Sequence, residues 1–309
     1  MDVGWFNLKE WEDVEGYETF ERPLGEVDCG EHDFDVISVF ASSEVTGEML
    51  EELRPEAVVT RSTGFDHIDT EKAEELGIEV YNVPNYGSST VAEHAFALLL
   101  FLSRNLRKAD ERTRNNFSFE GLEGFELKDK KLGVVGTGEI GQKAIKIAKG
   151  FEMEVIAYDP YEREGLEEEL GFMYVELEDL IQKSDIISLH CPLTRENHHM
   201  FSSEEFEEMD GTVLINTARG GLVEAEALVD ALEEDYVKYA GLDVLEEEDE
   251  MREDAKIQDS IIEANEQLIE REDALVTPHS AFNTWEAKQR IVETTIKNIE
   301  ERPEENRVV

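Results

Sequence analysis

Residues 132–150 read LGVVGTGEIGQKAIKIAKG, and this stretch decides the fold class. An apolar run typical of a buried strand leads into Gly136, Gly138 and Gly141, and a helix-forming stretch follows at once. The next strand-like run, EVIAYD, ends at Asp159, about 20 residues beyond the glycines. A glycine-rich turn between a strand and a helix, with an acidic residue ending the next strand, is the fingerprint of a dinucleotide-binding βαβ unit.

Each residue of this motif has a physical task. Gly136 makes the tight turn, Gly138 lets the backbone approach a pyrophosphate, and Gly141 permits close packing of helix on strand. Free N–H groups at the helix start attract the phosphates. Asp159 is predicted to accept hydrogen bonds from the adenosine ribose and to repel a 2′-phosphate, so NAD(H) is preferred over NADP(H). Arg163, four residues later, would weaken that preference. The alternative is an ordinary glycine turn in an α/β domain.

The rest of the chain alternates strand-like runs with amphipathic helical stretches, which predicts parallel α/β architecture. The apolar runs IISL and VLIN suit strands that are buried on both faces. In the first hundred residues we expect strands at 3–7, 35–40, 57–61 and 79–83, and helices at 44–53, 70–76 and 89–107. A last helix is expected at 285–300, and the acidic segment 246–272 is predicted to be a surface excursion.

The acidity of the chain excludes some classes of partner. The 309 residues include 75 Asp and Glu against 29 Lys and Arg, a formal net charge of −46. A polyanion such as nucleic acid would be repelled, and so would an anionic membrane surface. We expect a soluble protein of a high-salt cytoplasm, with a merely acidic mesophilic protein as the alternative. Cys29 and Cys191 form neither a disulfide framework nor a zinc cluster by themselves.

Three further segments carry residues suited to reduction of a keto acid. Arg219, in INTARGG, follows an apolar strand, where a guanidinium can hold a carboxylate through two hydrogen bonds. His279, in VTPHSAF, is suited to proton donation near neutral pH. A carboxylate beside that histidine would orient its ring, but spacing does not select Glu248 over Glu246 or Glu247. A surface ion pair for Arg219 and a structural role for His279 remain alternatives.

The chain resembles the D-isomer-specific 2-hydroxyacid dehydrogenase family. The motifs that carry the resemblance occur in family order: RSTGFDHID (61–69), NVPNYGSSTVAEHA (82–95), GVVGTGEIGQ (133–142), HCPLT (190–194), INTARGG (215–221), GLDVLEEE (241–248) and TPHSAF (277–282). The resemblance implies an NAD-dependent oxidoreductase that interconverts a 2-ketocarboxylic acid and its D-2-hydroxy acid. A hydroxypyruvate/glyoxylate or phosphoglycerate dehydrogenase is the alternative enzyme, and an NAD(H)-sensing protein without turnover is the alternative from another class.

The resemblance also implies roles for individual residues. Arg219 becomes the arginine for the substrate carboxylate, Glu248 the partner of the acid/base, and His279 the proton donor in reduction. Further residues are implied to lie near the coenzyme: Glu139, Ile140, Cys191, Pro192, Asn197, Thr217, Ala218, Arg219 and Asp243, with Asp243 at the nicotinamide carboxamide. Substrate contacts are implied for Thr63, Gly64 and Tyr86. Asp249 stands where family members commonly have proline, a departure that concerns the path of the loop and not the role of Glu248.

The architecture implied by the resemblance has two Rossmann-like domains with a cleft between them. A discontinuous substrate domain would comprise residues 1–102 and 280–309, around a dinucleotide-binding domain of 103–279. A homodimer is also expected. The adjacent His198 and His199 are expected at the surface or the edge of the coenzyme cleft, because neighbours on a helix or strand cannot both face one ligand set, so no metal site is predicted.

Overall fold

The computed structural model describes Leu24 and residues 34–40, 43–115, 117–248 and 260–309. These residues form two compact units, one of the described residues up to Tyr86 with Asn283–Val309, the other of Gly87–Phe282. Each unit contains a parallel sheet with helices, so the predicted α/β fold with two parallel-sheet domains is confirmed. The expected strand at 3–7, Cys29 and the middle of the acidic excursion, residues 249–259, lie outside the described residues.

The elements are numbered along the chain. The strands are β1 (Val36–Val39), β2 (Ala57–Thr60), β3 (Glu79–Tyr81), β4 (Lys131–Val135), β5 (Glu154–Tyr158), β6 (Met173–Tyr174), β7 (Ile186–Leu189), β8 (Thr212–Asn216), β9 (Val237–Leu242) and β10 (Ala274–Val276). The α-helices are α1 (Gly47–Leu53), α2 (Thr70–Leu76), α3 (Ser88–Ser103), α4 (Leu106–Thr113), α5 (Glu139–Gly150), α6 (Leu166–Leu170), α7 (Leu177–Lys183), α8 (Ser203–Glu207), α9 (Ala225–Glu233), α10 (Ser260–Glu270) and α11 (Trp285–Glu301).

In the first unit, β1, β2 and β3 pair in parallel in that order. Helix α11 packs against β2, although more than 200 residues separate them in sequence. The end of the chain then pairs with β3, where the Val308 N–H donates to the Val80 carbonyl at 2.7 Å and the Val80 N–H donates to the Val309 carbonyl at 3.2 Å. The first unit is therefore built from two separate stretches of the sequence.

The second unit has a seven-stranded parallel sheet in the order β10-β9-β8-β7-β4-β5-β6. Strand order reverses between β4 and β7, and ligands of open α/β sheets bind at the carboxyl ends of the strands beside such a switch point. Every residue of β7 and of β8 is buried, which confirms that these apolar runs are covered on both faces. The sheet therefore places the ends of β4, β7 and β8 at one edge.

The expected helix at 89–107 is wrong beyond Ser103. Asn105 adopts a left-handed conformation with φ 49°, and its side-chain amide donates to the Glu123 carbonyl at 3.0 Å. The Phe125 N–H donates to the Ser103 carbonyl, also at 3.0 Å, so the 121–125 loop completes the end of α3. Helix α4 then starts at Leu106 as a separate element.

Helix α3 belongs to the second unit, whereas the expected boundary placed residues up to 102 in the substrate domain. Its buried residues Leu98 and Leu102 share one apolar cluster with Ile145 of α5 and Ile215 of β8. This shared core accounts for a division at Tyr86/Gly87 rather than after residue 102. Among the described residues, no helix combines the length and apolar character needed to cross a membrane.

Candidate active site

The glycine turn between β4 and α5 is held by close backbone packing. Gly136 has φ +94°, and a Cβ atom there would lie 2.8 Å from the Cys191 backbone N and 2.9 Å from the His190 backbone carbonyl carbon. A Cβ atom on Gly141 would overlap the Gly136 carbonyl oxygen. Both positions therefore require glycine, as the sequence predicted for a turn that brings strand and helix close together.

The outer side of the same turn is open. A Cβ atom on Gly138 would meet no atom within 4 Å, and Gly138 and Glu139 are exposed, while Ile140 is half-buried. Gly138 precedes the first turn of α5, whose leading N–H groups have no partner inside the helix. An open, glycine-lined helix start fits the pyrophosphate of a dinucleotide.

Asp159 follows β5 and faces the glycine turn. Its Oδ2 accepts hydrogen bonds from the Thr137 backbone N–H at 2.7 Å and from the Thr137 hydroxyl at 2.9 Å, while its Oδ1 accepts the Tyr161 N–H at 2.9 Å. The Tyr174 hydroxyl lies 2.9 Å from Thr137 Oγ1. Because the single Thr137 hydroxyl proton goes to Asp159, Tyr174 donates to Thr137. The predicted ribose-binding carboxylate is thus fixed beside the turn by Thr137.

The segment after β7, which begins at His190, lies against the glycine turn. Cys191 lies against Gly136, and burial together with the nearby Asp159 charge raises the pKa of its thiol to about 11, so it is not a thiolate nucleophile. The Asn197 amide donates to the exposed Pro192 carbonyl at 2.8 Å and accepts the Thr194 N–H at 2.6 Å. Asn197 therefore closes its own loop, and coenzyme contacts of Pro192 and Asn197 stay predictions.

Arg219 stands in a turn at the end of β8. The Asn216 side chain accepts the Ala218 N–H at 3.0 Å and donates to the Arg219 carbonyl at 2.9 Å, while Arg219 Nη1 donates to the Ala218 carbonyl at 2.8 Å. The buried Thr217 hydroxyl has no hydrogen-bond partner among the described residues. Sequence reasoning gave Asn216 no role, although a polar residue ending a fully buried strand was a signal.

The Arg219 turn packs directly on the segment that leads to Glu248. A Cβ atom on Gly220 would overlap the Leu245 carbonyl and would lie 2.6 Å from the Glu246 backbone N. Only a residue without a side chain allows this approach. Gly220 thus brings the candidate substrate arginine and the candidate acid/base partner into one neighbourhood.

His279 and Glu248 form a direct pair. His279 Nδ1 lies 2.5 Å from Glu248 Oε1, and Glu248 Oε2 accepts the Leu245 N–H at 3.1 Å. Both side chains are partly exposed, 34% for His279 and 21% for Glu248. The two preceding glutamates have different environments: Glu246 pairs with His199, and Glu247 is exposed. With Nδ1 directed at a carboxylate, Nε2 is the ring nitrogen that can exchange a proton with a substrate.

Asp243 fixes the turn that carries His279. His279 has φ 50°, an uncommon value for a residue with a side chain, and its N–H donates to the Asp243 carbonyl at 2.8 Å. The Asp243 carboxylate is fully buried and accepts four donors: the Thr277 hydroxyl at 2.5 Å, the Ser280 N–H at 2.9 Å, the Ala281 N–H at 2.8 Å and His94 Nε2 at 3.4 Å.

The electrostatics of Asp243 follow from these bonds. Burial by itself raises the pKa of the Asp243 carboxyl, but the hydrogen bonds from His94, Thr277 and the backbone outweigh burial and lower the pKa below its ordinary value. The contact with a nicotinamide carboxamide stays a prediction. Sequence reasoning missed His94, whose signal was a polar side chain among Val91, Ala95 and Leu98 on the apolar face of α3.

The expected substrate contacts lie in the first unit. Thr63 is exposed, and the Ser62 hydroxyl donates to the Gly64 carbonyl at 2.6 Å, which fixes the turn. The carbonyl of Tyr86 accepts a hydrogen bond from Arg290 Nε at 2.7 Å. These bonds hold the backbone, and the substrate contacts of Thr63, Gly64 and Tyr86 stay predictions.

Comparison with known proteins places the chain in a family. Residues 96–281 match the family described as "D-isomer specific 2-hydroxyacid dehydrogenase, NAD binding domain". A 2-hydroxyacid dehydrogenase homolog of Haemophilus influenzae is 40% identical over 293 residues, covering 91% of this chain and 87% of that protein. The D-lactate dehydrogenase of Escherichia coli is 40% identical over 274 residues, covering 86% of this chain and 82% of that protein.

A solved structure agrees. The crystal structure of D-lactate dehydrogenase from Aquifex aeolicus, complexed with NAD and lactic acid, superposes with a TM-score of 0.90 at 34% identity. The match covers 98% of this chain and 95% of that chain. The resemblance drawn from the sequence motifs is confirmed. The chain belongs to the D-isomer-specific 2-hydroxyacid dehydrogenase family of NAD-dependent oxidoreductases.

Proposed function

We propose that Arg219, Glu248 and His279 carry out the reaction of this NAD-dependent oxidoreductase, in which a 2-ketocarboxylic acid is reduced reversibly to a D-2-hydroxy acid. The observation that carries the assignment is the His279–Glu248 pair. Glu248 also accepts a hydrogen bond from the Leu245 N–H, and the Arg219 turn packs on Leu245 through Gly220. An orienting carboxylate, a proton-bearing imidazole and a guanidinium are the three groups that this reduction requires.

The residues divide the work by chemistry. When bound, the reduced nicotinamide supplies the hydride for the keto carbon. The Arg219 guanidinium binds the substrate carboxylate through paired hydrogen bonds and polarises the neighbouring carbonyl. His279 donates a proton from Nε2 to the carbonyl oxygen, while Glu248 holds Nδ1 and offsets the positive charge of the imidazolium. In the oxidation direction His279 accepts the same proton.

NAD(H) is proposed as the preferred coenzyme over NADP(H). The Asp159 carboxylate is fixed at the glycine turn by Thr137, where a ribose 2′-phosphate would meet its negative charge. Arg163 lies in the same loop and opposes this preference. Asp159→Asn should therefore weaken NADH and improve NADPH, so that the ratio of their kcat/KM values falls by roughly tenfold.

The activity is tested by NADH oxidation in concentrated KCl with pyruvate, a branched 2-keto acid, phenylpyruvate, glyoxylate and hydroxypyruvate. Pyruvate is the 2-keto acid that corresponds to lactate, which two relatives carry in their names, so we expect turnover of pyruvate among these. The proposal is supported if the wild-type chain forms D-products and the Arg219→Ala variant does not. Preferred turnover of hydroxypyruvate or glyoxylate would select the alternative enzyme. NADH binding without turnover of any substrate would favour a coenzyme-sensing protein instead.

A homodimer is proposed, formed through the surface around α4 and the following loop. Phe117 and Phe119 are each 84% exposed and Leu106 is 46% exposed, so this segment carries three exposed apolar side chains that a second copy would cover. Light scattering should give twice the chain mass of 35.2 kDa. The double substitution Phe117→Glu and Phe119→Glu should give the single-chain mass, and a wild-type chain that is monomeric would contradict the proposal.

The first unit is proposed as the substrate-binding domain, with Thr63, Gly64 and Tyr86 as its contacts. The exposed turn at Thr63 supports this, since its backbone N–H groups suit a carboxylate.

The working environment is proposed to be a high-salt cytoplasm. The net charge of −46 supports this, because salt near 1 M shortens the screening distance to about 3 Å and suppresses self-repulsion.

A further inference from the structure

His198 and His199 lie on one side of the turn that precedes α8, although they are adjacent in sequence. His199 has φ 53°, and this left-handed backbone turns the two imidazoles toward each other, with ring centroids 3.9 Å apart. The expectation that the two rings cannot share a ligand set assumed a helix or a strand, and residues 198–199 lie in neither. His198 is exposed, and 31% of the His199 side chain is exposed.

Glu246 completes the cluster from a different part of the chain. Its side chain is only 6% exposed, with Oε1 against His199 Nε2. Its Oε2 accepts the Ala225 backbone N–H at 3.1 Å, which fixes the orientation of the carboxylate. One ligand atom from each of His198, His199 and Glu246 can be chosen such that all three lie within 4.8 Å of one another, the one such group found within the described ranges.

We propose that His198, His199 and Glu246 bind one divalent transition-metal ion of the zinc class. Two imidazole nitrogens and one carboxylate oxygen are the donor set that borderline ions prefer, whereas Mg²⁺ and Ca²⁺ prefer all-oxygen sites. Glu246 is held in place by Ala225, whereas His198 is exposed, so His198 is the ligand that would adjust to the ~2.0–2.1 Å of a metal–nitrogen bond. Three protein ligands would leave a fourth position of a tetrahedral ion for water.

A bound ion would link two segments of the second unit, the turn that carries His198 and His199 and the segment that carries Glu246. A Cβ atom on Gly221 would lie 3.5 Å from His198 Cδ2, so the histidines face the end of the Arg219 turn. Glu246 stands two residues before Glu248 in the segment against which Gly220 packs. Because Arg219, Glu248 and His279 are not ligands, metal binding is measured separately from turnover and does not depend on the proposed catalytic roles.

The test is a Co²⁺ titration of the chelator-treated full chain in KCl, followed by visible absorbance. Excess Mg²⁺ is present throughout, so that the many surface carboxylates are occupied by a hard ion. The wild-type chain should bind one equivalent, with bands of nitrogen-ligated Co²⁺ that Zn²⁺ abolishes. Affinity should fall in acidic solution, because an imidazole nitrogen binds a metal ion only without its proton.

Variants decide which residues are the ligands. His198→Ala, an exposed substitution, should weaken Co²⁺ by roughly tenfold or more, as loss of a ligand requires. Glu196→Gln removes an exposed charge from the same loop and should bind like wild type. His279→Asn should also bind like wild type, which separates this cluster from the His279–Glu248 pair. Absence of stoichiometric binding, equal affinity in His198→Ala, or loss in His279→Asn would each overturn the proposal.

Discussion

At the scale of single residues, three consecutive glutamates have three different environments. Glu246 is buried against His199, Glu247 is exposed with φ 51°, and Glu248 reaches His279 Nδ1 at 2.5 Å. The backbone N–H of Leu245 donates to Glu248 Oε2, so the carboxylate is held from both oxygens. The proposed acid/base pair therefore depends on one side chain that its neighbours cannot replace.

Glu248→Gln should lower kcat for keto-acid reduction by about 10²-fold or more, because the amide no longer offsets the charge of the imidazolium. Glu247→Gln, an exposed neighbour of the same size, is the matched control and should stay within about twofold of wild type. Steady-state rates at saturating NADH and substrate measure both. An equal loss of kcat in the two variants would contradict a specific role of Glu248 beside His279.

His190 links stability to pH. Its Nδ1 is buried and has no hydrogen-bond partner among the described residues, and burial lowers the pKa of His190 from 6.5 to about 4. The unfolded chain therefore takes up a proton near pH 6.5 that the folded chain refuses until about pH 4. The free energy of unfolding of the wild-type chain accordingly falls as pH is lowered through this window.

His190→Asn removes this proton uptake. The variant should gain about 3 kcal/mol relative to wild type between pH 6.5 and pH 4, while above pH 6.5 the difference between the two chains should be constant. Urea unfolding at fixed KCl, repeated across pH, measures the difference. Parallel stability curves for the two chains down to pH 4 would show that His190 titrates normally in the fold.

At the scale of elements, glycines set how closely the site segments approach. Gly141 seats α5 on the turn after β4, and Gly220 seats the Arg219 turn on the segment before Glu248. In both cases the nearest atom to an added Cβ is a backbone carbonyl, which cannot move as the end of a side chain can. The close approach of these elements therefore requires residues without a Cβ atom at positions 141 and 220.

Gly220→Ala should lower kcat/KM by about 10²-fold, because the Arg219 turn must move away from the Leu245–Glu246 backbone. Gly150→Ala is the matched control, since a Cβ atom there meets nothing within 4 Å, and it should keep full activity. Activity and thermal midpoint are measured together. Retention of wild-type kcat/KM in Gly220→Ala would mean that the contact does not position the arginine.

At the scale of the whole molecule, the described ion pairs leave the excess of acidic residues unbalanced. Seventy-five acidic residues stand against 29 basic residues, and most of the ion pairs among the described residues involve exposed side chains. Exposed pairs contribute about 0–1 kcal/mol each and do not balance the excess. Screening by salt therefore governs the self-repulsion of the folded chain.

The midpoint of thermal unfolding should rise by roughly 5–10 °C between about 0.2 M and about 2 M KCl, equivalent to about 2–3 kcal/mol. Scans in KCl are compared with scans in trehalose of equal osmolality, which does not screen charge. A midpoint that is flat or falls with KCl, or that rises equally in trehalose, would contradict a screening origin and the proposed high-salt environment.

The sequence by itself determined the parallel α/β class, the glycine turn and the identity of the catalytic candidates. These are local: strand runs such as IISL, the spacing of Gly136, Gly138 and Gly141, and short motifs around Arg219 and His279 lie within a few residues. The family resemblance selected Glu248 where spacing left three glutamates open. Only the fold supplied the physical reason, which is the approach of Glu248 to a histidine 31 residues later.

The tertiary structure alone decided what depends on residues distant in sequence. The end of α3 at Ser103 is set by hydrogen bonds from the 121–125 loop, and its place in the second unit follows from the core shared with Ile215. The left-handed backbone of His199 and the arrival of Glu246 assemble a cluster that adjacency had argued against. Periodicity reports which face of an element is apolar, but packing decides which distant residues meet on it.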